Sequence, residues 1–583
     1  HFPVKYALLE AFVITVRERN LESRKVVDCP FTISRLRNPF MQTYLHSAIL
    51  GALSEMGGAP DDFQPEFQQP GNPDHGDLAC NAAMQLARHF RKAPRQIAED
   101  LKAHLEALPV DSDRISAIEV AGPGFLNFRF SDVYLFKALS SVLEAGDSYG
   151  RTHSGEGKRA LVEFVSANPT GPLTVGHGRN AVLGDTVANL LEWTGFEVDR
   201  EYYFNDAGRQ MRILGESVQA RYLAAVNPDL ATKMIGDPPD ETSVPEPFPE
   251  DGYLGDYITD IAIKLVGQDG LDPNDSEQFK KAAEKTIFAD IEGTLGRMGI
   301  KMDAFFNEKS LYDSGQVWDI VEKFRELDLA YDKDGAVWLK TTAFGKEQDT
   351  VLVKSSGEPT YRLPDIGYHV DKLKRGYDRI VDIFGADHIA TFPDVVAGTR
   401  ALGFDADRID VVIYQFVTLV RSGQPVKMST RKATFVTLDE LMNEVGEDVT
   451  RFFFLMRSPN THLEFDLDLA KEASDTNPVF YLQYAHARIQ SILRKASELG
   501  LGNGLEADVT LLTHDAEITL MKTLMGLPDS IVRAATHSEP HRLAGYLREV
   551  AVAFSQFYNH CRIVGEEEKL AAARLQLARA TAL

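Results

Sequence analysis

The chain predicts an α/β protein: a parallel sheet covered by helices and interrupted by a helical insertion, with a small α+β domain before it and an α-helical bundle after it. Three observations carry this expectation. Residues 160–204 alternate strand, helix and strand. Apolar, strand-like runs return at 380–384 and 411–420 after a long acidic stretch with helical spacing. From about residue 471 onward the apolar positions keep a helical period with little strand signal, as amphipathic helices do.

Residues 1–40 hold 7 basic and 4 acidic side chains and begin with His1. Their apolar stretch, Tyr6 to Val16, contains Glu10 and lacks the small-residue cleavage site of a secretory signal. They are expected to be an extension of unclear role, with the working protein starting near Met41. Leu45, Ile49 and Leu53 recur at four-residue spacing and predict a helix. A second helical stretch with Arg88, Arg91, Lys92 and Arg95 follows Pro73–Asp77, and strands are predicted on either side of the turn Gly122-Pro123-Gly124. This domain spans 41–150. Ala160 to Val165 is a short apolar strand of the kind a parallel sheet buries on both faces. Val182, Leu183, Val187, Leu190 and Leu191 mark the next helix, stopped by Gly195, and Phe196–Phe204 is a strand. Such a βαβ unit makes the sheet parallel and Rossmann-like. It occupies 151–470, with a largely helical, acidic insertion at about 205–350, and the bundle fills 471–583.

Composition narrows the function classes. The chain has 583 residues, 62 basic and 86 acidic, for a net charge of −24. With 44% hydrophobic and 25% charged residues it is ordinary for a globular protein, which argues against disorder or a fibrous repeat. No window approaches the ~18 consecutive apolar residues of a membrane helix. Cys29, Cys80 and Cys561 are too scattered for a disulfide framework or a structural zinc site. A soluble, reduced, cytoplasmic protein is expected. Its acidity disfavours indiscriminate nucleic-acid binding. The charge is uneven, however: residues 221–300 carry a net −9 and residues 471–583 a net −1, so a nucleic-acid surface on the bundle stays open.

Two short segments carry candidate chemistry. Gly171 to Ala181 leads into a helix N-terminus, where unpaired N–H groups and the dipole favour a phosphate. Gly176 lets a flat base approach the backbone, His177 can donate to a phosphate, and Arg179 adds charge; plain strand-to-helix geometry is the alternative. Val426 to Lys432 is a basic loop after Ser422-Gly423, with Lys427, Arg431 and Lys432 suited to clamping developing anionic charge. A solvated surface loop is its alternative.

Taken together, a nucleotide-binding helix start and a later basic loop resemble the signature of class I aminoacyl-tRNA synthetases. The segments Glu163–Leu173, Phe204–Gly208, Asn307–Gly315, Gly357–Tyr361, Gly385–His388 and Gln483–Arg488 resemble bacterial-type arginyl-tRNA synthetases in particular, in order from about residue 41 to the C-terminus. The resemblance implies a two-step reaction. The arginine carboxylate attacks the α-phosphorus of ATP to give arginyl-adenylate and pyrophosphate, and the arginyl group then passes to the 2′-hydroxyl of the terminal adenosine of its tRNA. ATP would come with Mg2+, with no tightly bound protein-ligated metal; the partners would be tRNA for arginine, ATP and L-arginine, with no membrane, and the chain a monomer.

By motif position the resemblance implies catalytic roles for Thr174, His177, Lys427 and Arg431. It implies ATP contacts from Ala167, Asn168, Pro169, Thr170, Gly171, Pro172, Leu173, Val175, Gly176, His388, Met428 and Ser429. It implies arginine contacts from Glu163, Asn168, Tyr361, Asp365 and Asp387, since a guanidinium fork suits carboxylates. Tyr361 and Asp365 would share one face of a helical turn, and a buried Glu163 requires a cationic partner. The tRNA contacts would include Tyr484, Arg488 and Tyr558, among aromatics that also include Tyr481, Phe554 and Phe557, and the N-terminal domain would touch the tRNA elbow. Two positions depart from the class pattern. Thr174 stands where a histidine is usual, and Thr430 where the basic motif ends in lysine, leaving Lys427 as the main cation.

A dinucleotide-dependent oxidoreductase is the rival, since Gly176–Ala181 satisfies Gly-x-Gly-x-x-Ala and Asp199 lies at a ribose-binding distance. Residues 166–175 make too long a link for that fold's tight turn. A non-enzymatic tRNA-binding scaffold is the other class.

Overall fold

The computed structural model describes residues 41–60, 63–68, 70, 72–107, 113–235, 242–426, 436–501 and 507–583. The extension 1–40 and the basic-loop residues Lys427, Met428, Ser429, Thr430, Arg431 and Lys432 lie outside them. The chain forms two compact units. One holds Thr152–Phe480 with Arg533–Gly545; the other holds the described residues up to Arg151 with Tyr481–Val532 and Tyr546–Leu583. No helix of the described residues is long and apolar enough to cross a membrane.

The first unit is built on a parallel sheet. Its strands are β1 (Arg159–Glu163), β2 (Glu197–Phe204), β3 (Ala304–Asn307), β4 (Arg379–Gly385) and β5 (Ile409–Tyr414). They stand in the order β5-β4-β1-β2-β3, every neighbouring pair parallel. Helices α1 (Val175–Trp193), α2 (Arg362–Lys374) and α3 (Phe392–Ala401) connect them. Ala160, Leu161 and Val162 are fully buried because helices cover both faces of a parallel sheet. Val162, Phe164, Val182, Val187, Leu191, Val381 and Ile383 belong to one core. Because the chain leaves β1 and β4 toward opposite sides, a crevice opens outside their C-terminal ends, where such sheets bind ligands.

The stretch 205–350 is not helical throughout. Helices Arg209–Val226, Asp256–Leu265, Ser276–Arg297 and Gln316–Glu326 dominate it, yet it also supplies edge strand β3 and the antiparallel strands Ala330–Lys333 and Ala336–Leu339, which continue to Thr350–Val353. Strands of four residues are too short to display a period of two against the surrounding helical pattern.

In the second unit, Leu45, Ile49 and Leu53 line the buried face of helix Met41–Glu55. The strands flanking residues 122–124 pair in an antiparallel sheet that also takes in Leu78–Cys80, a strand absent from the sequence reading. Helix Asp132–Ala145 places Leu139 and Val142 in one core with Leu520, Met521, Phe554, Phe557 and Ala578 of the C-terminal helices. Lys522 Nζ lies 2.6 Å from Asp77 Oδ1, tying the C-terminal helices to the N-terminal sheet.

Candidate active site

The turn leaving β1 is strained. Val165 has φ 68° and Ser166 φ 45°, conformations that cost non-glycine residues of order 1–3 kcal/mol each. The buried amide of Asn180, on α1, holds the turn: its Oδ1 accepts from Val165 N–H at 2.6 Å while its Nδ2 donates to Ile383 O of β4 at 2.8 Å. The reversal turns Ser166 Oγ back onto Glu163 Oε1 at 2.8 Å. Beyond it, Tyr202 OH donates to Ala167 O at 2.7 Å and Asn205 N–H donates to Asn168 Oδ1 at 3.0 Å. Tyr257 OH donates to Thr170 O at 2.7 Å. Residues 167–170 are thus fastened at several points ahead of the helix.

Thr174 caps α1. Its hydroxyl accepts from His177 N–H at 3.4 Å, while His177 Nδ1 accepts from Thr174 N–H at 3.2 Å, a reciprocal pair that satisfies the helix end. Burial pushes His177 down to about 4, so the ring is neutral near pH 7. With Nδ1 accepting, the proton resides on Nε2, leaving a neutral donor at the positive end of α1. Among the described residues, a Cβ on Gly176 would have just one neighbour, Thr174 Oγ1 at 3.7 Å, which suits this backbone to an approaching group. A Cβ on Gly178 would strike Leu438 Cδ1 at 2.5 Å; that glycine serves packing.

Arg179 departs from the phosphate-facing role expected of it. It is fully buried, and its guanidinium donates to the carbonyls of Gln415 (2.6 Å), Thr461 (3.1 Å) and Ser458 (3.1 Å). At about 100° per residue it lies some 200° around the helix from His177, so the two cannot face one phosphate. Gln415 precedes the hairpin Val417–Arg421 and Gln424–Pro425, after which the basic loop begins. Downstream of that loop, Thr437 pairs with Thr174 and Leu438 N–H donates to Leu173 O at 2.8 Å. The segment that follows Lys427–Arg431 therefore runs beside the start of α1.

A charge cluster fills the other side of the crevice. Lys372 Nζ, with no exposed surface, sits 2.6 Å from both Glu163 Oε2 and Asp382 Oδ1. His369 Nε2 meets Asp382 Oδ2 at 2.9 Å, and its Nδ1 meets Asp365 O at 2.7 Å. Burial opposes the Asp382 charge, but Lys372 and His369 outweigh it and hold the carboxyl below the usual range. The cationic partner that Glu163 requires is thus a lysine of the same chain, with Ser166 on its second oxygen. Asp365 lies one turn into α2 from Tyr361, as expected, and Tyr361 is 88% exposed. No cation is ion-paired with the Asp365 carboxylate among the described residues. Burial, together with Glu163 and Glu308, raises it to about 7, against the opposing pull of His369 and Lys372. Glu308 accepts from Tyr203 OH at 2.6 Å and Asn205 Nδ2 at 2.8 Å. Glu308, Lys372, His369 and Asp382 had no assigned role in the sequence; Glu308 stands within a motif already noted, whereas Lys372 lies 209 residues from Glu163.

Asp387 and His388 stand on the short turn after β4, both substantially exposed, with the His388 ring stacked on Phe384 at 4.9 Å. The residue that the oxidoreductase reading needs, Asp199, lies in the first half of β2 and accepts from Arg159 and Tyr377, away from the C-terminal crevice. In the other unit, Tyr484 and Tyr558 are 46% and 41% exposed, and the Arg488 guanidinium lies 4.5 Å from each ring. Phe554 and Phe557, expected among the RNA-facing aromatics, are core residues at 1% and 0% exposure.

Residues 43–130 match the arginyl-tRNA synthetase N-terminal domain model, residues 138–456 the class I (R) tRNA synthetase catalytic domain, and residues 482–583 the DALR anticodon-binding domain. The chain is 56% identical to an arginine–tRNA ligase of Salinibacter ruber over 92% of its length and 96% of the relative's. It is 48% identical to one of Desulfotalea psychrophila, over 88% and 91%. The solved arginyl-tRNA synthetase of Thermus thermophilus, 22% identical, shares the fold with a TM-score of 0.73 over 93% of this chain and 97% of that one. The crevice at the switch point, the phosphate-ready helix start and these matches lead to one assignment: the chain belongs to the class I arginyl-tRNA synthetase family.

Proposed function

We propose that this chain is an arginine–tRNA ligase that activates L-arginine with Mg–ATP and transfers it to the terminal adenosine 2′-hydroxyl of its tRNA. The observation that carries the reading is the Asp365 carboxylate, buried and raised to about 7 and without an ion-paired cation among the described residues, on helix α2 of the sheet whose first strand leads into α1. A guanidinium would supply the missing positive charge. Asp365 would receive it, with Glu308 nearby, Glu163 behind and Tyr361 closing over it. Asn168 and Asp387 would hold the arginine backbone groups. The triphosphate would lie over residues 167–176, with His388 near the base. His177 Nε2–H would donate to phosphate as a neutral group. Thr174 acts chiefly by capping α1 and orienting His177, with its hydroxyl proton still free to donate. Lys427 and Arg431, with Met428 and Ser429 between them, would meet the charge that develops as pyrophosphate leaves. Positioning and electrostatics supply most of the rate in such a reaction, so no covalent nucleophile is required.

The domain assignment follows the same lines: 41–150 contacts the tRNA elbow, 151–470 activates arginine, and 471–583 reads the anticodon. Tyr484, Arg488 and Tyr558 would stack on single-stranded bases. We further propose a monomer acting in the cytoplasm, where its tRNA is charged. The test is arginine-dependent ATP–pyrophosphate exchange with and without tRNA. Exchange with arginine but not lysine is expected, and none with any amino acid would refute the reading.

A further inference from the structure

We propose that Asn180 is a positioning residue for arginine activation: by gripping Val165 N–H and Ile383 O it holds the left-handed Val165–Ser166 step that sets Ser166 on the Glu163 carboxylate and carries Asn168 to Asn205. The inference rests on the arginine-activating reading above. A β-branched residue at φ 68° is a rare conformation that persists where the surroundings over-determine it. Here the surroundings are a tight turn, Ser166 N–H donating to Phe164 O at 3.0 Å, and one amide, 5% exposed, that uses its acceptor just past β1 and its donor near the end of β4. It therefore bridges the two strands that frame the crevice.

The consequence runs along the chain. With Val165 reversed, Ser166 Oγ lies 2.8 Å from Glu163 Oε1 and accepts from Tyr203 N–H at 3.3 Å. Glu163 Oε2 then faces Lys372, and Asn168 meets Asn205. If Val165 relaxed to an ordinary negative φ, the direction of Ser166 and of the loop beyond it would change while the strands stayed in place. Asn180, spent on Val165 N–H and Ile383 O, acts through Val165 and Ser166.

Three variants test this: N180A, N180A/V165G and S166A, each assayed for arginine-dependent pyrophosphate exchange and for Tm. N180A should lower kcat by about 10²-fold, as misplacing a reacting group by about 1 Å does, together with Tm. Glycine adopts positive φ without strain, but Val165 is a buried core residue, so adding V165G should leave Tm low, and kcat should stay low because no amide then fixes the turn. S166A should raise the arginine KM on the order of 10-fold, the loss of one hydrogen bond to a carboxylate, with the ATP KM unchanged. Recovery of wild-type kcat in the double variant would show that the turn forms productively without Asn180 and overturn the proposal. So would N180A with wild-type kcat and KM. If N180A does not fold, S166A decides: a raised arginine KM supports the proposal and a wild-type value overturns it. Absence of exchange in the wild-type enzyme would instead refute the arginine-activating reading itself.

Discussion

Asp365 and Glu163 share one charge cluster but differ in what neutralises them. Burial raises both carboxyls, but Glu163 has Lys372 at 2.6 Å to oppose that, whereas Asp365, with no ion-paired cation among the described residues, is raised to about 7. A cationic ligand binds the carboxylate form, and that form predominates only above about pH 7. Arginine KM should therefore fall as pH rises from about 6 to 8, the range around the raised value. Asp365→Asn should raise KM and flatten that profile; a variant keeping the wild-type slope would clear Asp365 of the role. Lys372 makes a different prediction. Replacing it with methionine leaves Glu163 and Asp382 buried beside each other without their shared cation, a change that costs roughly 3–5 kcal/mol. Urea unfolding measures this, and a loss below about 1 kcal/mol would mean that the cluster is not what braces the crevice. The pairing was not legible in the sequence, because a lysine on a helix advertises no partner 209 residues away. The need for some cation beside Glu163 was legible, from the cost of burying a lone carboxylate.

Helix α1 shows at the level of an element which signals a sequence carries. Its apolar period was plain, and so was its glycine-rich start. Arg179 was misread because its type was weighed without its phase: two residues past His177 it must point inward, where it ties α1 to Gln415, Ser458 and Thr461. The role of Thr174 likewise emerges from the element, since a hydroxyl at an N-cap satisfies a helix end as a histidine in the class pattern need not. Thr174→Ala should cost about 1 kcal/mol of stability, and Thr174→Ser much less, since serine keeps the cap. Thermal unfolding of both variants checks this. Equal losses would show that the cap is not the residue's contribution. Short strands such as β3 and Leu78–Cys80 escaped the sequence reading because they offer too few residues for a period to appear.

On the scale of the whole molecule, the described chain folds as two compact units. The first, which holds most of the stretch matching the class I catalytic domain, carries the switch point of a parallel sheet, and the second joins the N-terminal sheet to the C-terminal helices through Leu139, Val142 and the Lys522–Asp77 pair. The exposed sandwich of Tyr484, Arg488 and Tyr558 belongs to the second unit. Arg488→Ala should raise the KM for tRNA on the order of 10-fold, the worth of one stacked base, while arginine KM at saturating tRNA stays unchanged. An unaltered tRNA KM would remove that cluster from the RNA surface. The central claim, that the crevice recognises a positively charged guanidinium through its carboxylates, is tested most directly by comparing L-arginine with L-citrulline, its neutral urea counterpart of nearly the same shape. In tRNA-dependent pyrophosphate exchange, kcat/KM should favour arginine by about 10⁴-fold, because citrulline would leave a buried carboxylate unpaired. A preference of about tenfold or less would contradict it.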